Sequence, residues 1–132
     1  MRVVFDTNIL LSAFLTKGGV AQQLFVRAIA VHAVLSSEYI LREAHEKLSD
    51  KLKVPEPTVV FFMRYLRARM TVFDFPDKVE RIDFEDLKDV PILYFLEKAG
   101  AHYFVTGDKK LLALKKHKQT LFLSLREALE LL

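Results

Sequence analysis

Short apolar runs alternate with helical apolar periods along this chain, and acidic residues sit at the joints; that alternation constrains the fold more than any other feature. Arg2 to Asp6 is a β-branched run that reads as a buried strand, and Asn8 to Leu15 continues as a helix with Asn8 as its N-cap. Thr16-Lys17-Gly18-Gly19 breaks the chain. Val20, Leu24, Ala28 and Val31 then recur at helical spacing, and Ala33 to Ser36 supplies a second strand. Ser37 caps the next helix, whose apolar stripe is Ile40, Leu41, Ala44 and Leu48, with Glu43 beside it near the helix start. Pro57 suits the first turn of a helix from Thr58 to Met70. Thr71 to Phe75 alternates like an edge strand, and Asp77 to Asp89 reads as a loop into a helix from Val90 to Ala99, ended by Gly100. His102 to Thr106 is a strand, Lys109 to Lys116 a helix and Thr120 to Leu123 the last strand. Ser124-Leu125-Arg126-Glu127 is a capping box that opens a terminal helix.

Strands separated by helices cannot be hairpin-paired, so the pattern predicts an α/β fold: a mainly parallel sheet of roughly five strands in a three-layer α/β/α arrangement. No linker, repeat or low-complexity segment interrupts it, and residues 1–132 read as a single domain. In such sheets, sites form beyond the carboxyl ends of the strands, where the strand order switches.

Composition narrows the function classes. The absence of cysteine excludes disulfide staples, thiolate zinc sites and a cysteine nucleophile, and suits a reducing, cytoplasmic setting. The first acid comes too early for a signal-peptide core, and no apolar run approaches the ~20 residues of a membrane span. Twenty Lys and Arg against seventeen Asp and Glu leave a mildly basic chain. A basic surround with a local acidic hole suits a phosphodiester held over metal ions.

The acids at the joints are Asp6, Glu43, Asp89 and Asp108. A single Asp ahead of a helix is an ordinary cap, which accepts backbone N–H bonds at the positive end of the helix dipole. Four such acids facing one sheet edge repel one another, and a cluster of that kind persists only with a cation or a shared proton. Hard carboxylate oxygens favour Mg²⁺ or Mn²⁺. The histidines at 32, 45, 102 and 117 lack the paired spacing of a zinc site. Asp-Thr-Asn at 6 to 8 lacks the second Asp of an aspartyl-nucleophile phosphatase, and a receiver domain would want an acidic pair near the first strand.

At these residues the sequence resembles the PIN domain family, the ribonuclease fold that includes VapC-like toxins of toxin–antitoxin pairs. The resemblance rests on Val4-Phe5-Asp6-Thr7-Asn8, on Ser36 to Glu43, on Lys88-Asp89-Val90-Pro91-Ile92-Leu93, and on Ala99 to Asp108. It implies that Asp6, Glu43, Asp89 and Asp108 are metal-binding and catalytic, with Asn8 and Thr106 as polar groups that support them or position water. Many relatives carry a further acid or polar residue where this chain has Lys110, which leaves the number of metals open; Asp86 is a candidate substitute.

The resemblance further implies endonucleolytic hydrolysis of single-stranded RNA by metal-activated water, in a toxin with a cognate antitoxin. An RNA-processing enzyme without an antitoxin, and an inactive RNA-binding module, remain alternatives. Lys109, Lys110, Lys115 and Lys116 follow Asp108 closely and are candidates to grip RNA phosphates; the competing reading is a solvated helix face. Phe61 and Tyr65 add a second apolar ridge to the helix after Pro57, which is either core or the contact surface of a homodimer or an antitoxin helix.

Overall fold

The computed structural model describes residues 1–74 and 90–132. Strands β1 (Arg2–Phe5), β2 (Ala33–Ser37), β3 (Thr71–Phe73), β4 (Tyr103–Val105), β5 (Lys116–His117) and β6 (Thr120–Leu123) form one sheet in the order β3-β2-β1-β4-β6-β5. All neighbours pair in parallel except β5 and β6. Helices α1 (Thr7–Leu15), α2 (Val20–Val31), α3 (Glu38–Glu46), α4 (Glu56–Arg69), α5 (Val90–Ala99) and α6 (Lys109–Leu114) lie in the connections, and α7 (Leu125–Leu131) follows the last strand. From β1 the strands step outward through β2 to β3, while β4 lies on the other side of β1, so the order switches between β1 and β4.

Consecutive strand residues point to opposite faces, so burial along a strand reports how many faces are covered. Val3, Val4 and Phe5 are all buried, as are Phe104 and Val105. Helices therefore cover both faces of the centre, which is the three-layer α/β arrangement. Aromatic pairs knit the core: Phe5 of β1 packs on Phe25 of α2 at 5.7 Å between ring centroids, Phe14 of α1 on Phe62 of α4 at 4.2 Å, and Phe104 on its cross-strand neighbour Phe122 at 5.7 Å. No single helix among the described residues is long and apolar enough to cross a membrane.

Several boundaries differ from the sequence reading. Helix α1 starts at Thr7 and is capped by Asp6, not Asn8, because the Asp6 carboxylate accepts the Thr7 N–H. Helix α4 starts at Glu56, two residues early, with Pro57 inside its first turn where a missing N–H is harmless. Helix α6 stops at Leu114 because Lys115 takes φ 63°, and the chain then forms β5, a sixth strand too short to leave a periodic signal. Helix α3 runs on through a π-helical turn, Lys47–Lys51, in which the Leu52 N–H bonds the Lys47 carbonyl at 3.0 Å. The expected loop at 77–89 lies outside the described residues, as does Phe75.

Gly100 ends α5 as expected, at φ 64°, and an added Cβ there would stand 3.2 Å from the Arg2 guanidinium. Ser124 and Glu127 form the reciprocal capping box. Ser37 caps α3 by accepting the Ile40 N–H at 3.2 Å. Loss of that bond in Ser37→Ala should cost about 1 kcal/mol. Urea unfolding should show a lower midpoint at unchanged slope, and an unmoved midpoint would show that the cap adds nothing.

Candidate functional site

Register places the first two acids. Phe5 pairs with Val105, and the Asp6 N–H continues the ladder to the Val105 carbonyl at 2.9 Å. Asp6 and Thr106 thus emerge side by side beyond the carboxyl ends of β1 and β4, at the switch in strand order. The Thr106 hydroxyl donates to Asp6 Oδ2 at 2.6 Å and accepts the Asp108 N–H at 3.0 Å. One buried hydroxyl therefore links both acidic residues. Asp108 also caps α6 through Oδ1, which accepts the N–H groups of Lys110 at 2.8 Å and Leu111 at 3.4 Å. Because both cap bonds use one oxygen, Oδ2 stays available to a ligand.

The third acid arrives from α3. Thr7, buried behind Asp6, donates its backbone N–H to Asp6 Oδ1 at 2.8 Å and its hydroxyl to Glu43 Oε1. Glu43 does not sit near the helix start, as the sequence suggested, but past the middle of the nine-residue α3. Helix α3 packs against α1, whose first turn meets it at Glu43 and Lys47, so the second turn of α3, not its first, reaches the residues next to Asp6. Thr7 was not singled out in the sequence, although it lies inside the Asp6-Thr7-Asn8 stretch.

Asp6 is 9% exposed, and its carboxyl is held above the ordinary value of 3.8. Burial is the largest cause; the Thr106 hydroxyl and Thr7 N–H oppose it, and the negative charges of Glu43 and Asp108 add to it. Asp6 therefore senses both of the other carboxylates. Among the described residues no three acids or histidines stand close enough to hold a metal ion unaided. The fourth expected acid, Asp89, lies outside the described residues, as does Asp86. The chemistry of the set fits a hard divalent cation: oxygen donors only, like-charged, one of them desolvated.

Asn8, expected to support the acids, instead faces solvent and accepts a hydrogen bond from Lys47 Nζ at 3.0 Å. The four candidate lysines divide. Lys109 and Lys110 occupy the first turn of α6 beside Asp108, whereas Lys115 and Lys116 lie at its far end and in β5, where Lys116 pairs with Leu121.

The raised carboxyl of Asp6 has a sign that can be measured. In the metal-free protein the folded state keeps a proton at Asp6 that the unfolded chain releases near 3.8. Stability therefore falls as pH rises through the folded-state value, and the cost persists above it. Asp6→Asn removes this component, while carboxylates such as Glu38 and Glu127, which are shifted downward, act alike in both proteins. The difference in Tm between Asp6→Asn and wild type in EDTA should thus grow in favour of the variant from pH 4 to neutrality; a constant difference would refute it.

Three comparisons bear on this geometry. The sequence profile of the PIN domain matches residues 2–110. A search among curated proteins gives no match. Among solved structures, this chain is similar to the Rickettsia felis VapBC2 bound to a DNA fragment from its promoter, with TM-score 0.68 and 14% identity over 94% of this chain and 98% of that one. It is also similar to Mycobacterium tuberculosis VapC20, described as a Sarcin-Ricin loop cleaving toxin, with TM-score 0.60 and 15% identity over 88% and 97% of the two chains. With residues 2–110, most of its length, inside the matched profile, the chain belongs to the PIN domain family.

Proposed function

We propose that this protein is a metal-dependent endoribonuclease that hydrolyses single-stranded RNA and acts as the toxin of a toxin–antitoxin pair. The observation that carries the reading is the hydrogen-bond chain from the Asp108 N–H through Thr106 to Asp6 and from Thr7 to Glu43, which with the Asp108 cap of α6 orients three carboxylates near the topological switch point. Its support on the toxin side is likeness of fold to VapBC2 and to VapC20, the Sarcin-Ricin loop cleaving toxin.

Asp6, Glu43 and Asp108, with Asp89 as the fourth, would hold Mg²⁺ or Mn²⁺, which supplies Lewis acidity toward a phosphate oxygen and lowers the pKa of water. The chain's own groups prepare that set. Thr106 commits its proton to Asp6 Oδ2, and Thr7 commits its N–H to Oδ1, so the Asp6 carboxylate cannot rotate. Thr7 holds one oxygen of Glu43, which leaves Oε2 for a ligand. Lys109 and Lys110 flank Asp108 and would meet the phosphates of a strand laid across the edge. Lys115 and Lys116 stand at the far end of α6 and in β5, one short helix farther from Asp108.

An antitoxin helix is the occupant we assign to the apolar cleft between α1, α2 and α4. The expected ridge divides there. Tyr65 is half-buried against Phe25, with the Arg69 guanidinium 3.8 Å over its ring, whereas Phe61 is 70% exposed. Phe61 borders a cleft of about 260 Å³ lined by Phe14, Phe25, Val26 and Tyr65, a shape and chemistry suited to the apolar face of a helix.

Asp6→Asn and Asp108→Asn should each abolish RNA cleavage, by at least about a hundredfold, while circular dichroism stays that of a folded protein. Cleavage by wild type should cease in EDTA and return with Mg²⁺ or Mn²⁺; full activity in chelator would overturn the metal mechanism. Phe61→Glu should weaken association with the product of a neighbouring small gene, read by light scattering of the mixture, and should leave cleavage intact. Unchanged association would remove the cleft from the partner surface. A halved mass of the variant alone would assign the cleft to a homodimer.

A further inference from the structure

The first turn of α1 makes one more long-range contact, which the carboxylates do not use. Lys47 Nζ donates to Asn8 Oδ1 at 3.0 Å across 39 residues of sequence. Glu43 and Lys47 are four residues apart on one helical face, and the α1 turn meets them in the same order, Thr7 with Glu43 and Asn8 with Lys47. The ammonium is thereby fixed one turn from Glu43, at the rim of the acidic site.

Two details separate this lysine from an ordinary surface charge. Its partner is a neutral amide, which orients the ammonium without neutralising it and leaves two N–H donors for a ligand. Its backbone marks the change of helix type: the Lys47 N–H is shared between the Glu43 and Ala44 carbonyls, and its own carbonyl accepts the Leu52 N–H across the π-turn. Lys47 therefore keeps α-helical register with Glu43, while the residues after it are displaced by the wider turn. Alongside lies an open depression of about 260 Å³ bounded by Glu43, Glu46, Lys47, Asp50 and Lys51. Glu46 and Asp50 share that rim, yet among the described residues no ion pair joins either to Lys47.

We propose that Lys47 is a substrate-binding residue that grips an RNA phosphate adjoining the scissile one, and that Asn8 is the positioning residue that aims it. This rests on the nuclease reading above. It gives Asn8 a task different from supporting the carboxylates or their water, and it places the phosphate track on the α3 side of the site, opposite Lys109 and Lys110.

The test is binding of a short fluorescein-labelled single-stranded oligoribonucleotide in EDTA, followed by anisotropy across a salt series, beside steady-state cleavage with Mg²⁺. Lys47→Gln should weaken binding about tenfold, as expected for one charge-assisted contact, and flatten the slope of log affinity against log salt by about 0.7. In cleavage it should raise KM far more than it lowers kcat. Lys47→Arg should restore most of the slope. Asn8→Ala should weaken binding but keep the slope, because the charge remains and only its placement is lost. Lys17→Gln, in the turn beyond the far end of α1, serves as the control for bulk charge and should match wild type. A wild-type slope and KM in Lys47→Gln, with the wild type cleaving normally, would overturn the assignment. A wild type that neither binds nor cleaves RNA would overturn the nuclease reading itself.

Discussion

The pairing of β1 with β4 is the constraint on which the rest depends. These strands meet because the chain reverses the direction in which it adds strands, which puts the switch in strand order between them. The ladder runs through Phe5 opposite Val105 and ends in a backbone bond from Asp6 to Val105, so the next side chains along each strand are forced into contact. A slip of one residue would exchange the faces that successive side chains present and separate Asp6 from Thr106. Burial of Val3, Val4, Phe104 and Val105 on both faces forbids that slip, so the hydrophobic core sets the geometry of the acidic site.

Gathering acids at such an edge opposes folding. Burial and two neighbouring charges raise the Asp6 carboxyl, and only two donors, Thr106 and the Thr7 N–H, pull the other way. The fold tolerates this because each acid also serves the structure. Asp6 and Asp108 cap α1 and α6, where the helix dipole favours negative charge, and Glu43 joins α3 to α1 through Thr7. A cation bound there, as the proposed function requires, would relieve the residual repulsion, so the arrangement that costs stability in the metal-free protein would favour metal binding.

Features encoded locally were legible in the sequence. The capping box of Ser124 and Glu127, the Ser37 cap, the span of α5 and the stop at Gly100 each depend on residues within a few positions, and the sequence reading placed all of them. Asp6 and Asn8 are equally good cap residues, and only the register with β4 decides between them. Lys115 ends α6 in a positive-φ conformation that carries no glycine to announce it, and the two-residue β5 has no period to detect. The contacts Thr7 to Glu43 and Asn8 to Lys47 span 36 and 39 residues, so no local pattern contains them. Their spacing becomes visible only when α3 lies across α1.

The first turn of α1 concentrates these long-range contacts in three consecutive residues. Asp6 reaches Thr106 across 100 residues, Thr7 reaches Glu43, and Asn8 reaches Lys47. Successive residues in a helical turn project about 100° apart, so one short turn can address the neighbouring strand, the facing helix and the solvent rim at once. Such economy carries rigidity with it. An insertion here would rotate every later side chain and break all three contacts together, whereas changes at β3 or β5 disturb only an edge of the sheet. The part of the chain least able to vary is therefore not the deepest core, where apolar residues of similar volume can replace one another, but the point where core register is converted into the placement of charge.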